Sequence, residues 1–496
     1  MDPQAPSDPS QVKITTLKSG APNGDKLNSL LLGPKGLNLL ADVAYLEENA
    51  HFNRERIPER VVHAKGAAAL GKFVVTNTEI TKYCQASLFN EIGKTTPVVA
   101  RFSHVTGESG ISDTARDVRG FAVKFRTEQG NWDIVGNNLP VFFIRDPINF
   151  PSFIHSQKRN PQTHLRDPNA FWDFVSLLPE TLHTILMLFS DRGTPDGFRH
   201  MHGFGVNTFK LVGANPQRAS YAKFHWICDQ GIRNLDAMTA VNLAGEDPDY
   251  SLRDLFVNIE RGNFPSWTLK FQVISLDDAS KVDFNIFDDT KTWPHAKFPL
   301  IEIGKMTLNK NVDNYFAQVE QLAFSPANMV LGIQPSPDKM LTGRIFAYTD
   351  AQRYRLGANF YDLPCNKPLC PVMAPTYCDG VTFMSNLPGS LPNYVPSIKY
   401  NNLSLRNELY LEHPQHFSGQ VGRYDLSKDD NYSQPRILVT KVLNKEKRAI
   451  LVSNIADHLK LVTMREITGK VLMHFREIDA EFASAIESAM KATPVQ

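Results

Sequence analysis

The run Arg344-Ile345-Phe346-Ala347-Tyr348-Thr349-Asp350-Ala351 sets a tyrosine four residues after an arginine. On a helix those two side chains share one face, a few ångströms apart. A free phenol ionises only near pH ~10, but an adjacent guanidinium favours the charged form and a bound cation favours it further. The pair therefore suits a phenolate ligand to a ferric ion. Taken alone, Arg-x-x-x-Tyr is better explained as an aromatic and a base on a surface helix. A second motif, far upstream, changes that balance: Phe52-Asn53-Arg54-Glu55-Arg56-Ile57-Pro58-Glu59-Arg60, followed by Val61-Val62-His63-Ala64-Lys65-Gly66. Alone, such a charged run is a solvated face and a single histidine is more often structural than catalytic. Near neutral pH, however, histidine can both take and return a proton.

Together the two segments resemble the active-site and haem-ligand signatures of haem catalases, each along its full length. The resemblance runs from about Thr16 through the last helices, and two motifs in that order are far more specific than either one. The kind resembled is the small-subunit, animal-type monofunctional catalase. It implies a haem b with Tyr348 as axial iron ligand; tyrosine is the ligand by which catalase haems are known, so this role comes with the family. It further implies that Arg344 supports the phenolate and that Asp338 supports Arg344. His63 is the distal proton shuttle, Asn137 a hydrogen-bond donor to peroxide, and Ser103 the group that orients His63. Arg60, Arg101 and Arg355 align with the arginines that hold the two propionates, a match of guanidinium fork to carboxylate. Phe142 and Phe150 align with aromatics beside the haem, and Val62, Val105 and Asp117 with a narrow access channel. Without the family, Asn137-Asn138 after Gly136 reads equally well as a turn.

The implied activity is disproportionation of hydrogen peroxide to water and dioxygen, protecting cells from peroxide. It proceeds in two steps, one peroxide oxidising the ferric haem to an oxo-ferryl state and a second reducing it. Two other readings stand beside it. One is a catalase-related enzyme acting on fatty-acid hydroperoxides, which needs a wider and more apolar entrance. The other is a non-enzymatic haem-binding paralogue, which has no need of His63, Ser103, Asn137, Arg344 and Tyr348 together.

Some positions depart from the pattern. Asn207 stands where the family's proximal relay has a histidine, and should adjust the proximal electronics while leaving the ligand in place. Leu331 replaces a proline and Thr342 a glutamine. Of the NADPH site that animal catalases often carry, His183, Ser190, Arg192, Trp293, His295 and Gln434 persist. Ile227 replaces a lysine that faces phosphate, His202 an asparagine, Phe204 a tyrosine, and Met187 and Leu438 two phenylalanines. Losing a cation at a phosphate removes a charge-assisted bond worth about 1.5–3 kcal/mol, so weak or absent NADPH binding is expected.

These residues need a scaffold to position them. Residues 64–310 hold short β-like runs at 71–76, 97–102, 120–125, 208–212 and 268–274, several alternating apolar with polar, which favours an antiparallel sheet or barrel. Helical spacing interrupts them around 172–190. Residues 1–63 form an arm rich in Pro, Gly and Asn, with no core of its own. Residues 311–427 have little periodicity apart from the Tyr348 helix and must be tied down by packing elsewhere. In 428–496 two stripes, Ile450, Leu451, Ile455, Ala456 and Leu459, then Val471, Phe475, Ile478 and Phe482, predict a helical domain. The family implies the same plan: an N-terminal arm, an eight-stranded antiparallel β-barrel, a wrapping segment and a C-terminal α-helical domain, assembled as a homotetramer. The flavodoxin-like extra domain of large-subunit catalases is not expected.

Composition agrees. The 496 residues are 42% hydrophobic and 21% charged, with a net charge of +1, so neither nucleic acid nor an anionic membrane is an expected partner. Five scattered cysteines fit a reducing compartment better than a disulfide framework. No apolar run reaches the ~18 residues of a membrane span. Residues 1–6 lack a secretory h-region, and the ending Ala492-Thr493-Pro494-Val495-Gln496 resembles no peroxisomal address. An intracellular protein is expected, peroxisomal by family resemblance or cytoplasmic.

Overall fold

Eight long strands arise from runs rich in β-branched and aromatic residues. They are β1 (Gly66–Val75), β2 (Thr95–His104), β3 (Arg119–Thr127), β4 (Gly130–Asn137), β5 (Gly203–Val212), β6 (Ala219–Cys228), β7 (Ser266–Ser275) and β8 (Ile301–Asn311). The structure, a computed structural model, describes residues 13–215, 219–384, 391–400, 403–426 and 429–492. The expectations on residues 1–6, on the segment boundary at 427–428 and on the ending 493–496 lie outside those residues. The chain divides into two compact units, 1–59 and 60–496. In the first, Asp42 opens the helix Val43–Phe52 by accepting a hydrogen bond from the Tyr45 N–H. The second unit holds the barrel.

Every strand pair is antiparallel, in the order β4-β3-β2-β1-β8-β7-β6-β5, and a bridge from Asn137 of β4 to Phe204 of β5 closes the ring. This is the barrel the sequence predicts. Four of the five runs singled out there fall within β2, β3, β5 and β7, the run 71–76 overlaps β1 and overruns its end by one residue, and the structure adds β4, β6 and β8. The interior is aromatic: Phe102 and Phe121 meet edge to face at 4.9 Å, Phe125 stacks on Trp132 at 4.6 Å, and Phe121 meets Trp267 at 5.5 Å. Because side chains alternate along a strand, the neighbours of Phe102 and Phe121, namely Arg101, Ser103 and Gly120, face the outside of the wall.

Three helices, Phe150–Gln157, Pro168–Leu177 and Leu182–Phe189, enter between β4 and β5. The predicted helical stretch around 172–190 is thus two helices, broken where Pro179 begins a tight 3₁₀ turn. They share an apolar cluster with the C-terminal helices Lys445–Leu459, Arg465–Ile478 and Ala480–Lys491. Asp479 separates the last two, its carboxylate accepting from the Phe482 N–H. The Trp172 indole N–H donates to His458 Nδ1 at 2.8 Å across the cluster.

Beyond β8 the chain is held to the barrel by a two-residue strand, Ile333–Gln334, paired antiparallel with β5, by apolar packing of residues such as Leu322 and Phe324, and by scattered hydrogen bonds. Arg126 donates to the Cys365 carbonyl at 2.6 Å, Gln334 to that of Leu411 at 3.0 Å and Gln415 to the Tyr221 hydroxyl at 2.7 Å. In this region the 18-residue helix Lys339–Leu356 carries Arg344 and Tyr348. All five cysteines are free thiols. Among the described residues no helix is long and apolar enough to cross a membrane.

Candidate functional site

Strand register assembles one half of the site. Gly66 of β1 pairs with Ser103 of β2, Ser103 with Gly120 of β3, and Gly120 with Asn137 of β4. Directly opposed residues point to the same side of a sheet, so Ser103 and Asn137 stand on either side of Gly120 on the outer wall. His63, three residues before β1, folds over this row. Its φ of 67° is left-handed, a conformation uncommon outside glycine. The Val105 carbonyl accepts its N–H at 3.3 Å, and its Nδ1 lies 2.9 Å from the Ser103 hydroxyl.

Gly120 makes room for the ring. A Cβ there would lie 2.4 Å from Ser103 Oγ and 2.5 Å from His63 Nδ1. No motif in the sequence points to this glycine; only the register reveals it. Burial pushes the His63 imidazole down to about 3, helped by the Arg101, Arg344, Arg60 and Lys158 charges. At neutral pH the ring is uncharged and free to accept a proton.

The two asparagines after Gly136 separate cleanly. Asn138 is buried and fully used, its oxygen accepting from the Arg119 N–H at 2.8 Å and its nitrogen donating to the Arg192 carbonyl at 3.2 Å. Asn137 is half-buried, and among the described residues its side chain has no hydrogen-bond partner. The turn reading fits Asn138, and Asn137 ends β4 with its amide unspent.

The other half is built by the Lys339–Leu356 helix. Asp338 caps it, accepting from the Leu341 N–H at 2.8 Å. Arg344 Nη2 donates to the Tyr348 hydroxyl at 3.0 Å and to the Val135 carbonyl of β4 at 2.8 Å, which ties the helix to the strand that ends in Asn137. Its other nitrogen donates to Asn207 Oδ1. Asn207 lies where β5 slips register against β6, between Gly205 and Phe209. Such an irregularity re-aims side chains, here toward Asp338 at 3.2 Å and Asp289 at 2.5 Å. Burial raises both carboxyls, and for Asp289 the neighbouring Asp338 adds to it while Lys223 and Arg344 oppose. Asp289 and Lys223 belong to no sequence motif.

The three arginines converge. Arg60 donates to the carbonyls of Val319, Glu320 and Leu322 at 3.1, 3.0 and 2.8 Å, and Arg355 to those of Glu320 and Leu322. Arg101 reaches the Ala64 carbonyl at 3.2 Å, and its buried Nε has no partner. Burial lowers all three, and mutual repulsion adds to it for Arg60 and Arg355, the latter brought to about 10. Glu320, 3.8 Å from Arg60, is the one carboxylate that opposes this in each case. Buried positive charge in such excess calls for an anion. Two carboxylates of a bound group would supply it, and the orphaned Arg101 Nε marks where hydrogen bonding is incomplete. Haem fits this cradle.

Phe142 and Phe150 stack at 6.4 Å, both half-buried. Val105 and Asp117 are buried and Val62 half-buried; Asp117 is held by the Thr106 and Val118 N–H groups, each at 2.8 Å. Two cavities of about 430 and 440 Å³ lie elsewhere, and neither is lined by His63, Asn137 or Tyr348.

The nucleotide positions are spread over a second region. His183 Nδ1 lies 3.0 Å from the Thr290 carbonyl, and burial lowers its imidazole to about 4. Ser190 donates to the Met187 carbonyl at 2.7 Å, and the Trp293 indole donates to that of Ile286 at 3.1 Å. Gln434 accepts from the Thr292 N–H and donates to the Thr292 carbonyl. Arg192 is half-buried beside His202, and His295 is exposed. His202 accepts from the Cys228 N–H at 3.0 Å, beside the half-buried Ile227.

Residues 16–401 match the family model described as Catalase, and residues 425–490 the one described as Catalase-related immune-responsive. The catalase of Cavia porcellus is 53% identical over 477 residues, 96% of this chain and 90% of that protein. A fungal catalase structure superposes with a TM-score of 0.94 at 41% identity, covering 98% of each chain. Catalase A from Saccharomyces cerevisiae superposes at 0.90 with 40% identity, covering 96% of this chain and 99% of that one.

Proposed function

The chain belongs to the catalase family, and on that premise we propose that it disproportionates hydrogen peroxide at a tyrosinate-ligated haem b, protecting cells from peroxide. The observation that carries the reading is the pairing of a neutral, Ser103-held imidazole with an arginine-held phenol around one wall of the barrel. Tyr348 would take the iron, Arg60, Arg101 and Arg355 the propionates, and Phe142 and Phe150 the ring. When bound, the haem supplies the redox chemistry, drawing oxidising equivalents from one peroxide and passing them to a second.

The chain's own residues handle protons and position. His63, uncharged, accepts a proton from the peroxide oxygen and returns it to the leaving oxygen so that water departs. The Ser103 contact at Nδ1 keeps Nε2 directed at the substrate. The unspent Asn137 amide donates to the peroxide as charge shifts. Val62, Val105 and Asp117 form the approach, with Asp117 fixed by two backbone N–H groups. The proposal includes the arm, barrel, wrapping and C-terminal segments bounded at 63/64, 310/311 and 427/428, a homotetramer, and a peroxisomal or cytoplasmic location. NADPH binds weakly or not at all: Ile227 offers no cation, and His183, Trp293 and Gln434 direct polar atoms at neighbours within the protein.

Oxygen evolution from millimolar hydrogen peroxide tests this, using haem-loaded protein beside Tyr348→Phe. Vigorous release, lost in the variant together with a changed ferric spectrum, is expected. The same preparation should carry far less than one NADPH per chain. Full haem with little oxygen release would sink the proposal and move the weight to lipid hydroperoxides or a non-catalytic haem protein.

A further inference from the structure

Asp289 is 2% exposed, and its backbone carbonyl accepts from the N–H of Phe142 at 2.7 Å. Its Oδ2 takes the Asn207 amide at 2.5 Å. Its Oδ1 has no hydrogen-bond partner and lies 3.9 Å from Lys223 Nζ, which also lacks a hydrogen bond and sits 5.7 Å from the centre of the Trp293 ring. An orphaned carboxylate oxygen in a buried site is costly, so the contact with Asn207 is where a function must be sought.

A primary amide has one oxygen that accepts and two N–H groups that donate. A guanidinium only donates, and a carboxyl group, ionised or not, keeps at least one oxygen that accepts. With Asp289 and Asp338 both on Nδ2, the two amide hydrogens are committed, and Oδ1 must face the Arg344 guanidinium, as it does. Asp338 is the weaker anchor. Its 3.2 Å contact shares Oδ2 with the Thr208 N–H at 2.9 Å, while its Oδ1 caps the helix. Without Asp289 the amide can turn over, placing NH₂ against guanidinium, donor against donor. Arg344 would then lose the acceptor that fixes Nη1 and could pivot about its shorter bond, to the Val135 carbonyl at 2.8 Å, away from the phenol at 3.0 Å.

We propose that Asp289 is a positioning residue for Tyr348: it locks the Asn207 amide in the orientation that keeps Arg344 on the phenol oxygen. The proposal rests on the reading of Tyr348 as haem ligand. Asp289 acts three contacts away from the phenol, through Asn207 and Arg344, and is not among the residues assigned to haem or substrate.

The test uses haem-loaded Asp289→Leu, Asp289→Asn, Asn207→Leu and the double variant D289L/N207L, with Asp289→Ala in place of D289L if that fails to fold. Two readouts serve besides turnover: the ferric absorption spectrum and the rate of haem loss to excess apomyoglobin. D289L should alter the spectrum and lose haem roughly tenfold faster, the scale of one lost hydrogen bond. D289N, whose carbonyl still accepts from Asn207, should stay close to wild type. In the N207L background D289L should add nothing. A D289L protein with wild-type spectrum and haem loss overturns the proposal, as does an undiminished effect in the N207L background or a D289N as impaired as D289L. Tyr348→Phe separates the premise from the inference. If it leaves the ferric spectrum unchanged, both fall; if it changes the spectrum and D289L does not, only the inference falls.

Discussion

The two sides of the site are bonded to opposite extremes. On the His63 side, the ring has one side-chain contact, to Ser103, and the Asn137 amide has none among the described residues. On the Tyr348 side, Arg344 donates to Tyr348, Val135 and Asn207, Asn207 donates to two carboxylates, and Asp338 serves Asn207, Thr208 and Leu341. Groups that must exchange protons with a substrate are left with capacity to spare. On the Tyr348 side, Arg344, Asn207 and Asp338 are each held by several hydrogen bonds, and the unspent atoms, Asp289 Oδ1 and Lys223 Nζ, lie at the far end of the network. A buried polar atom left unspent costs about 1–3 kcal/mol, so the spare capacity on the His63 side is consistent with a polar substrate taking it up.

The largest effect that separates the sides is on turnover without loss of haem. His63→Ala should lower oxygen release by roughly 10²–10⁴-fold, the range for a removed acid–base group. Its haem content and ferric spectrum should persist, because the phenol network is untouched. Tyr348→Phe should change the spectrum as well. If H63A disturbed the ferric spectrum as strongly as Y348F, the division into a reactive side and a fixed side would collapse.

Gly120→Ala is a smaller and more local probe. The added methyl would fall within 2.5 Å of both Ser103 Oγ and His63 Nδ1, so the pair must separate. A displacement near 1 Å can cost about 10²-fold in rate, and G120A should lose ~10–100-fold in turnover while retaining haem. An active G120A would mean that the Ser103–His63 contact does not position the ring.

The same contrast explains what could be read in the sequence. His63, Arg344 and Tyr348 lie in two short contiguous motifs, and Ser103 and Asn137 could be placed beside them by alignment with the family. The barrel was legible because its strands alternate, as in 120–125. Asp289, Lys223 and Gly120 were not, because their roles come from register and from an irregular β5, which join residues far apart in the chain. Nor could the sequence say which of Asn137 and Asn138 anchors the turn. Bonds from Asn138 to Arg119 and Arg192 decide that, and they exist only once β3 and β4 pair.

The smallest prediction concerns acid, where buried groups of the two types carry opposite signs. His225 is buried on β6 with Nε2 3.0 Å from Gln272 Oε1. Burial lowers its imidazole to about 3; the Gln272 contact opposes this, and Lys223, His295 and His202 reinforce it. An unfolded histidine protonates near pH ~6.5. Between that value and about 3 the unfolded chain therefore holds a proton that the folded one does not, and stability falls as pH falls. One such imidazole changes stability by ~1.4 kcal/mol per pH unit. Asp289 and Asp338 work the other way: raised carboxyls bind protons first in the folded state, so their contribution grows as pH falls through their folded values. Denaturant unfolding of His225→Gln from pH 6.5 down to 4 should show a shallower loss of stability than wild type, by about that slope. Asp289→Leu, which removes an opposing group, should show a steeper one. A His225→Gln profile parallel to wild type would mean that the imidazole is already charged in the fold, and the assignment of sign to this side of the barrel would be wrong.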